Sequence, residues 1–112
     1  MTTEQLQAFK AEFFRALAHP MRIRILEVLG GGERTVQDLQ QALGLEQPVV
    51  SQHLAVLRAK NIVTTRKEGT SVNYALGDPL ITELLRTARE IFNHQLVGTR
   101  SLLKELQKER HR

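Results

Sequence analysis

Cysteine is absent from the 112-residue chain. That excludes disulfides, thiolate metal sites and thiol redox sensing together. Aromatic residues are scarce at 4%, so Leu, Ile, Val and Ala must fill most of any core. No uninterrupted apolar run approaches the ~20 residues that span a bilayer. The segment Met1–Lys10 has neither the basic start nor the apolar centre of a signal peptide. A cytoplasmic protein without a membrane partner is the expectation. Internal repeats, low-complexity tracts and linkers are also missing, which favours a single domain over residues 1–112. There is no cysteine nucleophile, no phosphate-binding glycine loop and no convincing acid–base pair, so the chain does not read as an enzyme.

What is present is an excess of positive charge, formally +4. A basic balance favours a polyanionic partner, nucleic acid before membrane. The 41% of hydrophobic residues supports a core, but a short chain buries a smaller fraction of its surface than a long one. Dimerisation is one way to bury more.

The periodicity resolves into helices and one hairpin. Leu6, Phe9, Phe13 and Leu17 recur at helical spacing, giving a first helix over about 4–18 that stops before Pro20. Pro20 suits the first turn of a second helix, with Met21, Ile25, Val28 and Leu29 as its apolar stripe and Gly30-Gly31-Gly32 as its end. Thr35 followed by Asp38 fits the capping box of a third helix, which carries Val36, Leu39 and Leu43 and closes at Gly44. Pro48 opens a fourth helix over about 48–59, with Val50, Leu54 and Leu57 on one face and Asn61 as a left-handed stop.

From Ile62 the period becomes two. Ile62, Thr64 and Arg66 share one side of a first strand, Val72, Tyr74 and Leu76 one side of a second, around a polar tip at Lys67-Glu68-Gly69-Thr70-Ser71. The hairpin therefore spans about 62–76. Asp78-Pro79 then caps a last helix over about 79–108, where Ile81, Leu85, Ala88, Phe92, Gln95, Thr99, Leu102 and Leu106 form a heptad-like seam.

A mainly α chain with two short helices around a glycine turn and a small β-hairpin after them is a winged helix-turn-helix pattern. A DNA major groove accepts one helix, whose N-terminal residues reach base edges. The fourth helix holds no Asp or Glu. Gln52 is the leading candidate for a base contact, since a Gln amide can pair bidentately with adenine. Ser51 suits a base or a phosphate, Ala55 a thymine methyl, and Gln47 and Pro48 sit at the helix start. Arg58, Lys60, Arg66 and Lys67 suit phosphates, which position a protein without reading sequence. His53, beside Gln52, is a candidate for a phosphate or an internal hydrogen bond. Thr35, at a helix N-terminus, adds a further phosphate contact.

The chain resembles the ArsR/SmtB family of winged-helix repressors. The resemblance is carried by Ala16-Leu17-Ala18-His19-Pro20-Met21-Arg22-Ile23-Arg24-Ile25-Leu26, by Thr35-Val36-Gln37-Asp38-Leu39, by Val50-Ser51-Gln52-His53-Leu54-Ala55-Val56-Leu57, and by Arg66-Lys67-Glu68-Gly69. It covers about 6–103 in matching order. It implies a homodimer through the first and last helices, and Leu6, Phe9, Phe13, Ile81, Leu85, Ala88, Phe92, Leu96, Leu102 and Leu103 are the residues expected there. It also implies repression by occupying an inverted-repeat operator, with two reading helices roughly 34 Å apart, and relief by an effector. The family's ligand sets do not carry over whole. Thr35 and Gln37 stand where one metal site has its cysteines. Asp78 and His94 match two ligands of another, and Leu80 and Ile91 replace the rest. Glu90, one turn before His94, joins it and Asp78 from the other subunit in a reduced candidate site for Ni or Zn, with His111 a weaker addition. Control by a regulatory protein is the other alternative.

Overall fold

The computed structural model describes residues 1–110. Five helices and two strands follow in the order α1 (Thr3–Leu17), α2 (Pro20–Leu29), α3 (Val36–Leu43), α4 (Gln47–Ala59), β1 (Val63–Glu68), β2 (Ser71–Leu76) and α5 (Leu80–Arg110). The chain is mainly helical with a β-hairpin wing, a winged helix-turn-helix fold. Contacts divide it into a unit ending at Thr82 and a second beginning at Glu83.

Local chemistry sets most boundaries in the first unit. Thr2 caps α1, and Gln5 returns the hydrogen bond to complete a capping box. His19 caps α2 through Nδ1, which accepts from Met21 N–H at 3.1 Å, with Pro20 at the first helical position. Thr35 and Asp38 form the capping box of α3. Gly44, at φ 66°, supplies the left-handed residue that ends α3 and lets α4 start three residues later. Helix α4 begins at Gln47 rather than at Pro48, because Glu46 has extended angles and takes the cap position.

The exit of α4 is a Schellman motif. Asn61 is left-handed at φ 58°. Its N–H donates to Arg58 O at 3.0 Å, and Ile62 N–H donates to Leu57 O at 3.0 Å. This places Ile62 inside the helix stop, so the wing strand starts at Val63 instead of Ile62. Ile62 and Val63 are both buried, and the alternation begins only after them. The residues turned inward on β1 are Val63 and Thr65, not the Thr64–Arg66 side.

The two strands pair antiparallel from Val63↔Leu76 to Glu68↔Ser71. The tip is therefore only Gly69-Thr70. A third extended segment joins them at one point. Arg34 N–H donates to Tyr74 O at 3.0 Å and Tyr74 N–H to Arg34 O at 2.8 Å. Gly77 closes the wing against the end of α4, donating its N–H to Ile62 O at 2.8 Å. A Cβ there would lie 2.2 Å from Asn61 O, so only glycine fits.

The core draws on every element of this unit except β2. It includes Ala16 and Leu17 of α1, Ile25, Leu26 and Leu29 of α2, Leu39 and Leu43 of α3, the α4 stripe, Ile62, Val63 and Ile81. Leu26 replaces Met21 and Val28, which are half-buried, in the deep stripe of α2. Ile81, expected in a seam with a second chain, is buried in its own unit and offers no surface to another. In the second unit, Glu83 onward, α5 exposes Ile91, Phe92, Leu96, Val97, Leu102, Leu103 and Leu106.

Candidate nucleic-acid interface

Helix α4 is held by Val50, Leu54 and Leu57, all at 1% exposure or less. Their spacing of four and three residues puts them on one stripe. The opposite stripe carries Pro48, Gln52 and Ala55, all exposed. Ser51 and Arg58 lie on the flank between. Gln47 Nε2 donates to Ser51 Oγ at 2.7 Å, which fixes the Ser51 rotamer and leaves its hydroxyl hydrogen able to donate outward. The helix itself carries no Asp or Glu to oppose a polyanion, although exposed Glu46 stands at its cap position. Such a face can enter a groove and present an amide, a hydroxyl and a methyl to base edges.

Several residues expected to contact DNA have partners within the chain. His53 does not point outward with Gln52. Its ring stacks on that of His19, centroids 4.4 Å apart and tilted 49°, and its Nδ1 is buried without a hydrogen-bond partner among the described residues, as is Arg22 Nε. Burial first, and the neighbouring His19 and Arg22 next, hold the His53 imidazole below its ordinary value. It is therefore kept neutral and belongs to the α2–α4 contact.

Arg66 is taken by carboxylates. Its Nε and one terminal nitrogen donate to Glu33 at 3.3 and 2.7 Å, and the other terminal nitrogen lies 3.2 Å from Glu68. The hydrogen bond and charge of Arg66 hold the Glu33 carboxyl below its ordinary range. Lys60 lies 3.8 Å from Glu12, a long and exposed pair. Thr35 is committed to its capping box. Its hydroxyl accepts from Asp38 N–H at 3.1 Å and its own N–H donates to the Asp38 carboxylate at 3.0 Å. Those bonds keep Asp38 readily ionised, so a negative charge already occupies the α3 N-terminus where a phosphate was expected. Arg58 and Lys67 have no carboxylate within ion-pair distance among the described residues.

The partner of Arg66 could not be found from sequence. Glu33 lies 33 positions away in a loop with no motif of its own. The His19–His53 pair was equally hidden, although His19 at a cap position and His53 beside the buried stripe each hinted at an inward role.

Asp78 Oδ1 accepts from Leu80 N–H at 2.9 Å and acts as a helix cap. Glu90 and His94 stand exposed one turn apart on α5. Among the described residues of one chain, no group of three or more His, Cys, Asp or Glu comes together. His111 lies outside the described residues. No described helix is long and apolar enough to cross a membrane.

Comparison with known proteins matches residues 19–65 to the model of the bacterial regulatory proteins of the arsR family. An HTH-type transcriptional regulator of Mycobacterium tuberculosis, Rv0081, is 42% identical over 107 residues, spanning 95% of this chain and 94% of that one. Its crystal structure superposes with a TM-score of 0.77 at 44% identity, over 83% of this chain and 94% of the other. NolR from Sinorhizobium fredii superposes with a TM-score of 0.72 at 33% identity, over 82% and 94%. A winged helix-turn-helix DNA-binding domain from Mycobacterium bovis, described as homodimeric, gives 0.76 at 26% identity, over 86% and 91%.

Proposed function

Because the chain belongs to the ArsR/SmtB family of helix-turn-helix transcriptional regulators, and so binds DNA rather than catalysing a reaction, we propose that it is a cytoplasmic homodimeric repressor of an inverted-repeat operator. The observation that carries the reading is the outward stripe of α4, polar and free of carboxylates, held rigidly from behind by Val50, Leu54 and Leu57. Gln52 reads a base edge, Ser51 and Ala55 make close contacts beside it, and Arg58 grips the backbone. Two-fold pairing suits this surface, since it would set two such helices one DNA turn apart, roughly 34 Å.

Dimerisation is supported by exposed apolar side chains on each of two helices. On α1 these are Leu6, Phe9 and Phe14, with Phe13 half-buried; on α5 they include Phe92, Leu96, Leu102 and Leu103. The M. bovis relative is homodimeric. Occupancy of the operator would exclude polymerase until an effector lowers the affinity.

Fluorescence anisotropy with the chain's own promoter region, at several salt concentrations, tests the reading. Tight binding that outcompetes unrelated duplex and falls steeply with salt is expected. Weak binding without sequence preference would overturn it.

A further inference from the structure

We propose that Glu33 withholds Arg66 from DNA and fixes the wing, leaving Lys67 as the wing's phosphate contact. The inference rests on the DNA-binding reading above. All three guanidinium nitrogens of Arg66 are engaged, two by Glu33 at 3.3 and 2.7 Å and one by Glu68 at 3.2 Å. An isolated surface ion pair contributes little, but a bidentate pair joined by a second carboxylate is the favourable case. Glu33 is also anchored by its own backbone. The next residue, Arg34, exchanges two hydrogen bonds with Tyr74 at 3.0 and 2.8 Å. The segment before α3 thus grips β2 through the main chain and β1 through the Glu33 side chain.

This arrangement changes the electrostatics of the wing. Arg66 is outweighed by Glu33 and Glu68 together, so this face of the wing offers a phosphate no free positive charge. For Arg66 to reach a phosphate, two carboxylates would be left unpaired beside a polyanion, and their repulsion opposes the exchange. Lys67 is different. Adjacent residues of a strand point to opposite faces, so Lys67 is on the other side of β1 from Arg66. It is exposed and has no carboxylate within ion-pair distance among the described residues.

The test is the salt dependence of promoter binding by the full-length protein, since each phosphate contact contributes about 0.9 to the log–log slope. Arg66→Ala should leave the slope as in the wild type, because no phosphate contact is lost, while the two carboxylates it uncovers lower the affinity. Lys67→Ala should lower it by about one. Glu33→Gln leaves Arg66 held by Glu68 alone and should steepen the slope, by at most about one. The double variant Glu33→Gln/Arg66→Ala should return to the wild-type slope, which separates a freed charge from a distorted wing. An Arg66→Ala slope lower by about one, with specific wild-type binding intact, would overturn the proposal alone. Absence of sequence preference in the wild type would instead overturn the DNA reading beneath it.

Discussion

His53 sits on the helix that faces DNA yet turns its ring into the protein against His19. The consequence is a pH dependence of stability. Its folded-state pKa is held below the ordinary 6.5, by burial first and then by His19 and Arg22. The unfolded chain therefore binds more protons in the interval below 6.5, and stability rises with pH there. The contribution is present above pH 6.5 and is lost as pH falls through the folded-state value. Thermal melts should give a lower Tm at pH 5.5 than at pH 7.5, with the difference reduced in His53→Gln. An equal drop in the variant would remove His53 as the cause. On the outward side of α4, Gln52→Ala should relax preference at one base position, costing about 1–3 kcal/mol. Binding measured across single-base operator variants checks this, and an unchanged preference profile would rule out its reading role. Gln52 was legible because helical period alone separates it from Val50, Leu54 and Leu57. Arg66 was not, because its charge is cancelled by a residue that only the tertiary fold brings near.

At the scale of elements, the stop of α4 and the start of the wing are one structure. Leu57 carries it. Its carbonyl accepts from Ile62 N–H, and both side chains are fully buried. Leu57→Ala should destabilise by about 2–5 kcal/mol, the range for a large-to-small change in a packed core; a urea midpoint near the wild type's would contradict this. Gly77→Ala places a methyl 2.2 Å from Asn61 O, so the backbone must shift. A loss of about 1–3 kcal/mol is expected, as for overpacked sites, and equilibrium unfolding would measure it. Helix ends were largely readable, since Pro20, Thr35, Gly44 and Asn61 are residues with strong positional chemistry. The hairpin start was misplaced by one residue because Ile62 and Val63 are buried in succession, the first by the helix stop and the second by the strand. The bridge between Arg34 and Tyr74 left no trace in sequence. A single pair of backbone hydrogen bonds requires no side-chain pattern.

At the scale of the whole molecule, the first unit has a closed apolar core, whereas α5 carries large apolar side chains that remain exposed. Ile81 shows why a seam drawn by spacing alone was too long. Ile81 belongs to the core of its own unit, whereas Leu80 beside it is exposed. If the proposed homodimer pairs through α5, Leu96→Glu should convert it to monomer, read by sedimentation velocity, while circular dichroism stays that of the folded chain. A dimer unaffected by this charge would place the interface elsewhere. The exposed apolar residues of α1 and α5 also bear on gene dosage. If two chains must meet before either can hold an operator, occupancy below the association threshold grows with the square of copy number. Halving synthesis would then cut occupancy to about a quarter, with no signal molecule involved.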